Sequence, residues 1–509
     1  MKKLYITTAI DYANGKPHIG HAYEKILSDT VARMFRMQGH SVQFMTGLDE
    51  HGQKVSQSAE KAGLPEQLHC DSIANDFKDL CEKLGIAYDR YIRTTEPEHK
   101  RVVRDCLQKL YDAGEIYKAD YTGLYSKTAE RFVLEKDKID GKWPSDFGEV
   151  VEISETNYFF KMSKHQQWLI DHIESHPKFI FPEFRTKQVL EFLKEPINDL
   201  CISRPKSRLA WGIELPFDGD YVTYVWFDAL VNYITGANYF GDDFSDYWPA
   251  DYHVIGKDIV VPAHAIYWPI MLHALGIEPP KTLLTHGWWL VSGEKMSKSS
   301  GNIVDPLDLA EKFGADAFRY YLVREMTIGQ DCDISTDRFM ARYTSDLAND
   351  LGNLVSRLLN MGHRYCNGEI KRVGEVGESE KNIKKLWQSE TPKIVDLHNE
   401  FSIHLALEKL FSCIKAINGY IEERSPWKLS KSGSASDEQL ISTTIATAAE
   451  CLRIGAILLT PAMPTVGRKI LAALGYTGEV NWTTSLQFGD SLVGSKLGDA
   501  IILFPKLDE

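Results

Sequence analysis

The chain has 509 residues, 43% of them hydrophobic and 25% charged, with a formal net charge of −13. This is the composition of a globular protein long enough for several domains, and its acidity argues against a protein that coats nucleic acid nonspecifically. Eight cysteines without any Cys-x-x-Cys pair indicate neither a disulfide scaffold nor a cysteine-built zinc site. No run approaches the ~20 apolar residues of a membrane span, and a strand starting at Leu4 leaves no room for a leader. A cytoplasmic protein with no membrane partner is therefore expected.

Leu4–Ile10 is rich in β-branched and aromatic residues, while Ile19–Met37 carries apolar residues at helical spacing. Asp11–His21 is thus a predicted strand-to-helix crossing, the place where parallel α/β sheets put ligands. His18 and His21 share the first helical turn beside free backbone N–H groups and the positive end of the helix dipole, which suits phosphate. Gly20 between them has no Cβ, so a flat ring could lie on the backbone. Histidines that merely cap the helix or face solvent explain the pair equally well at this point. Val42–Gly47 reads as a second strand ending in Leu48-Asp49-Glu50-His51-Gly52, and ionisable residues at a strand's carboxyl end mark a site. Helical patterns follow over 56–84 and 96–113, with Gly85 and Gly114 as stops.

From Ile116 the texture changes to short mixed segments, an insertion that continues to about Asp220. Within it Ile202–Arg208 is locally basic, either a solvated turn or a contact with an anionic substrate. Tyr221–Asp228 reads as a strand long enough to be buried, and His253–Ile255 as another running into Gly256-Lys257-Asp258. His264, Tyr267 and Trp268 at helical spacing fit a core. A strand over Leu283–Leu290 leads to the loop Val291–Asn302, where Lys295 and Lys298 stand among small hydroxyl residues and glycines. This is a flexible cationic arm suited to closing over polyphosphate, and not a Walker loop. From about Asp346 to Leu474 the pattern is nearly all helix, with breaks near 374–378, 425–426, 432–436 and 461–464. The tail from Gly475 is irregular with short strand-like pieces. The expected architecture is multidomain: a Rossmann-like α/β catalytic domain in two halves (1–115 and 221–325), split by a connective insertion (116–220), then a linking segment (326–352) and an all-α helix bundle with its tail (353–509).

Pro17-His18-Ile19-Gly20-His21 together with Lys295-Met296-Ser297-Lys298-Ser299 resembles the paired signature of class I aminoacyl-tRNA synthetases. Thr8–Gly15, Thr46–Gly52, Tyr224–Ala229, Ile255–Ile259 and Asp346–Leu354 extend the resemblance to the methionyl-tRNA synthetase family, over essentially the whole chain. It implies a ligase that activates L-methionine with ATP and Mg2+, releases pyrophosphate and passes the methionyl group to the terminal adenosine of tRNA(Met). It implies that His18, Gly20, His21, Gly256, Asp258, Lys295 and Lys298 bind ATP, with His18, His21, Lys295 and Lys298 as the catalytic groups. Asp49 would hold the methionine ammonium, and Ala9, Ile10, Tyr12, Trp226, Ala229, Tyr233, His264, Tyr267 and Trp268 would line the thioether pocket, where aromatic edges suit a polarizable sulfur. The resemblance thus turns the aromatics from core into ligand wall. The helical bundle would read the anticodon through Asn353, Arg357 and Trp427, since single-stranded bases are recognised by stacking and by hydrogen bonds to their edges.

The chain departs from the family in three places. Relatives carry a zinc knuckle after the Tyr-x-Gly-x-Tyr that is here Tyr121–Tyr125. This chain has Ser126-Lys127-Thr128-Ala129 there and Trp143-Pro144-Ser145-Asp146 at the second ligand pair. No structural zinc, and no other bound metal, is expected, and packing by Trp143 would have to hold the insertion. The segment Asp258–His264 is one residue longer than the family's usual spacing, and Asp11 stands where proline can occur. A sister enzyme for isoleucine, valine or leucine would carry a larger editing insertion. A nucleotidyltransferase that never meets RNA would not need the helical bundle, and a catalytically silent RNA-binding paralogue would not fill every phosphate-contacting position. With no room for an appended dimerising domain, a monomer is expected.

Overall fold

The protein was analysed as a computed structural model that describes residues 3–126, 131–133, 135, 138–139, 141–144, 147–295, 305–371 and 376–505. Its centre is a seven-stranded sheet in which every pairing is parallel. Lys3–Thr8 lies in the middle, with Ser41–Asp49 on one side and Tyr252–Gly256, Leu283–His286 and Ile180–Phe181 on the other. Leu4 to Thr8 are all buried, as parallel strands covered on both faces must be. Ile180–Phe181 falls inside the span read from the sequence as the insertion, yet it supplies the edge strand of the central sheet.

The opening strand is interrupted where it meets the ligand cavity. Thr7 lies opposite Met45, but Asp11 lies opposite Leu48, so four steps along one strand face three along the other. The additional residue pushes Ala9 and Ile10 out of the ladder, as a bulge does.

Two sequence expectations change here. Tyr221–Asp228 is not one strand: Asp218–Thr223 pairs antiparallel with Ser203–Pro205 and Glu214–Leu215, and a helix, Val225–Gly236, begins at once. A continuous apolar run has no periodicity to separate buried strand from buried helix. The single helix over 56–84 is two, Gln53–Ala62 and Glu66–Lys83, because Gly63 caps the first in the left-handed region and Pro65 precedes the second.

In the insertion, Ile116–Ser126 and Val150–Phe160 pair antiparallel along their whole length. Trp143 packs beside Phe147, ring centroids 6.1 Å apart, with the Lys138 ammonium 4.7 Å from its ring. Residues 127–130, 145 and 146, compared above with a zinc knuckle, lie outside the described residues.

The C-terminal half is helical: Asn353–Cys366, Glu378–Asn399, Ile403–Arg424, Ala435–Leu459 and Pro464–Ala473 form the bundle. Ala435–Leu459 is long and apolar enough to match a membrane span by composition, contrary to the sequence expectation, but 89% of its most apolar window is buried inside the protein. In the tail a helical turn, Trp482–Ser485, and one bridge between Glu369 and Lys496 replace the strand-like pieces. One hydrophobic cluster joins the helix Ile19–Met37 to the bundle. Fully buried Arg319 pins this contact, donating to Asp29 at 2.6 Å and to the carbonyls of Leu84, Pro461 and Ala462.

Candidate active site

A cavity of about 650 Å³ opens where the central strands end, within the usual size of a small-molecule site. It gathers Ala9, Ile10, Tyr12, His18, Gly20, His21, Asp49, Trp226, Ala229, Tyr233, Gly256, Asp258, His264 and Tyr267. Residues from both halves of the α/β domain therefore face one space.

The histidine end is built by the helix start. His18 is the N-cap of Ile19–Met37: its Nδ1 accepts the Gly20 N–H at 3.1 Å, while its own N–H donates to His21 Nδ1 at 3.1 Å. Each Nδ1 accepts, so each ring carries its proton on Nε2. The rings stack with centroids 3.7 Å apart, presenting two N–H donors beside the positive helix end. Gly20 lines the cavity, and a Cβ there would come within 2.9 Å of His18 Cε1, so the missing side chain also leaves room for the His18 ring.

Two buried ion pairs flank this end. Asp11 Oδ2 lies 2.6 Å from the Nζ of fully buried Lys25. Burial pushes the Asp11 carboxyl up to about 7 against the pull of Lys25, and this pairing accounts for an acid at Asp11. His286 contacts Glu24 at 3.0 Å; burial works against its charged form, but Glu24 outweighs burial and raises its pKa.

At the other end lies an aromatic wall. The segment expected to be one residue too long is kinked: Val261 is extended, with φ −112° and ψ 126°, and beyond it the His264 N–H reaches the Ile259 carbonyl five residues back at 3.2 Å. His264 faces the cavity. Burial lowers its pKa to about 4, so the ring is neutral. Its Nδ1–H donates to Ile259 O at 2.8 Å and its Nε2 accepts the Tyr233 hydroxyl at 2.7 Å. This pair meets a ligand already hydrogen-bonded to itself. Tyr12 completes the wall beside Gly52, whose φ of 102° brings its backbone so close that a Cβ would lie 2.4 Å from the Tyr12 hydroxyl oxygen.

Trp268 is a correction. It does not line the cavity but lies behind it, fully buried, with Nε1 donating to His253 Nε2 at 3.3 Å. One helical position past Tyr267 turns its side chain away from the opening. The backbone of Lys295 forms a hairpin with Leu290 that starts at cavity residues Trp288 and Trp289, and Lys298 lies outside the described residues. Asn353 and Arg357 sit one turn apart at the start of their helix. The Arg357 guanidinium stands 5.4 Å from the Trp427 ring centroid and donates to Glu422 at 2.6 Å, and Asn353 Nδ2 donates to Asn349 at 3.5 Å.

The cavity also contains Glu24, Lys54, Phe147, Asn232, His286 and Trp288, which the sequence reading missed. For His286 and Trp288 the strand-end rule that found Asp49 would have served; Phe147 arrives from the insertion and has no local signal. Among the described residues no group of three or more His, Cys, Asp or Glu side chains is placed to hold a metal ion.

A parallel sheet whose first helix begins at paired histidines, facing an aromatic pocket, defines a class I tRNA synthetase, and the profile of the family described as tRNA synthetases class I (M) matches residues 4–148 and 146–359. The methionine--tRNA ligase of Deinococcus radiodurans is 43% identical over 99% of this chain and 74% of its own length, and that of Clostridium acetobutylicum 42% identical over 100% and 78%. The structure of Mycobacterium tuberculosis methionyl-tRNA synthetase in complex with methionyl-adenylate superposes with a TM-score of 0.94 at 39% identity, covering 99% of this chain and 100% of that one. The free form of that enzyme gives 0.88 at 35% identity, covering 100% and 99%. The chain belongs to the methionine--tRNA ligase family.

Proposed function

We propose that L-methionine and ATP meet in this cavity to form methionyl-adenylate, and that the methionyl group then passes to the terminal adenosine of tRNA(Met). The observation that carries this reading is one cavity lined by the Nε2–H donors of His18 and His21, by the aromatic wall around Tyr233 and His264, and by Asp49. The thioether would lie against Ala9, Ile10, Tyr12, Trp226, Ala229, Tyr233, His264 and Tyr267, where a neutral, internally satisfied Tyr233–His264 pair tolerates sulfur and penalises a charged side chain. Asp49 would take the ammonium.

A carboxylate attacking the α-phosphorus of ATP needs no covalent enzyme intermediate, so the site's work is positioning and charge neutralisation. His18 and His21 would donate to the phosphates, Gly256 and Asp258 would take the ribose, and Lys295 and Lys298 would follow the departing pyrophosphate. Mg2+ enters with ATP as part of the substrate. Asn353, Arg357 and Trp427 would contact the anticodon; the guanidinium already beside the indole supports a stacking platform there.

The insertion is read as zinc-free from the sequence, which has Ser126 and Ala129 where relatives have a cysteine pair, and from the Trp143–Phe147 packing. A reducing, cytoplasmic setting is supported by cysteines that are all unpaired. A monomer is supported by the spread of the exposed large apolar side chains from Leu64 to Ile502, of which Phe184 and Phe192 share one helix; sedimentation as a dimer would overturn it. The test of the main reading is ATP–pyrophosphate exchange against the twenty amino acids, then charging of tRNA with the winner. Methionine should lead, and Asp49→Asn should abolish its activation; exchange driven best by another amino acid would overturn the assignment.

A further inference from the structure

Of the triplet Asp49-Glu50-His51, only Asp49 lines the cavity. Glu50 is fully buried and accepts from Arg93 Nε at 2.5 Å and from the Thr95 hydroxyl, tying the strand end to its neighbour. His51 reaches the opposite way. Its Nδ1 donates to Asp228 Oδ2 at 2.6 Å, while the other oxygen of Asp228 accepts from His99 Nε2 at 2.7 Å. His99 Nδ1 lies 3.1 Å from Thr235 Oγ1, and Thr235 gives its own proton to the Val231 carbonyl at 3.1 Å. His99 is thereby held between the Asp228 carboxylate and the Thr235 hydroxyl. Asp228, His51, His99 and Thr235 are all buried. Burial alone would raise the Asp228 carboxyl, but the two imidazoles outweigh it and hold it at about 2.

These four side chains connect pieces of chain that are remote in sequence. His51 and His99 belong to the first half of the α/β domain, while Asp228 and Thr235 lie on the helix Val225–Gly236 that also carries Trp226, Ala229 and Tyr233. The two ends of the amino-acid pocket thus ride on different pieces: Asp49 two residues from His51, and the thioether wall on the helix of Asp228. We infer that Asp228 is a positioning residue for methionine, a twice-accepting carboxylate that fixes the distance between Asp49 and the Trp226–Ala229–Tyr233 wall. The inference rests on assigning the methionine site to those residues. Asparagine at 228 cannot do the same, because it offers one acceptor oxygen and turns an NH2 toward an imidazole N–H.

The experiment is ATP–pyrophosphate exchange on the full chain with Asp228→Asn, Thr235→Val and, as a control of the site itself, Asp49→Asn. Asp228→Asn is expected to raise the methionine KM about tenfold or more, the scale of a small misplacement of a bound substrate, with the ATP KM within about twofold of the parent. Thr235→Val, which removes only the hydroxyl hydrogen-bonded to His99 Nδ1, should move the methionine KM the same way by about threefold. A folded Asp228→Asn enzyme with an unchanged methionine KM would overturn the inference. So would equal changes in the methionine and ATP parameters that merely track a lowered melting temperature. If Asp228→Asn does not fold, Thr235→Val decides by the same split. Loss of methionine dependence in Asp49→Asn with none in Asp228→Asn would leave the site standing and remove the clamp, whereas an Asp49→Asn enzyme with a normal methionine KM would remove the site assignment.

Discussion

The cavity and the proposed anticodon face are organised in opposite ways. In the cavity His18, His21, Tyr233 and His264 have their hydrogen bonds arranged in the protein alone, and ion pairs beneath them are buried. Asn353 is exposed, while Arg357 and Trp427 are half-buried and lean on neighbours: Arg357 on the 60%-exposed Glu422 and on the Trp427 ring. A reaction whose catalysis is positioning gains from donors fixed before the substrate arrives. An RNA loop that must splay its bases is better met by side chains that can move into place.

The largest effect should come from breaking the fixed end. His21→Ala removes one N–H donor and the acceptor that orients His18, and is expected to lower the rate of adenylate formation by about 10²–10³-fold, with methionine affinity little changed. Lys298→Ala should behave likewise, and near-normal activation by either variant would erase the proposed contrast.

Next in size is the response to acid, which compares one buried histidine from each region. Burial lowers both His264, in the cavity, and His398, in the bundle, to about 4. Each binds a proton more readily when unfolded, where its ordinary value is 6.5. Their contribution is therefore intact above pH 6.5 and is lost as the pH falls toward 4, about 3 kcal/mol for each. Urea midpoints measured across that range should decline. His398→Leu should flatten the decline, since neither nitrogen of His398 has a hydrogen-bond partner among the described residues; an unaltered slope would mean that the bundle titrates elsewhere.

A smaller effect, confined to the other pole, is expected for Trp427→Ala. A lost stacking partner is worth about 1–3 kcal/mol, so tRNA charging should weaken while ATP–pyrophosphate exchange stays intact. Loss of both activities would show a folding defect instead. The smallest is Trp268→Phe. Its ring lies behind the pocket, so the methionine KM should hold within about twofold, with a stability loss of about 1–2 kcal/mol from the smaller ring and the lost bond to His253.

Much of the site was legible locally. The strand-to-helix crossing at His18 and His21, the strand end at Asp49, and the strand leading into Gly256 and Asp258 are patterns of neighbouring residues, and the forces that make them act over one turn or one ladder step. Apolar runs misled, because a buried strand and a buried helix both lack a polar face: Val225–Asp228, the first turn of the helix Val225–Gly236, was read as the end of a strand, and Trp268 was counted with the wall when its side chain is buried behind it.

By itself the sequence determined where the groups proposed to bind phosphate and ammonium stand along the chain, since backbone geometry at a helix start or strand end follows from residue type. Only the tertiary structure decided what those groups rest on. The Asp11–Lys25 pair, the kink at Val261 ahead of His264, and the His51–Asp228–His99 connection between the two halves all depend on how separate elements pack. A buried charge is tolerated only where it is paired, and for Asp11 and Asp228 the partner arrives from another element, so the sequence around each acid does not carry both sides of the contact.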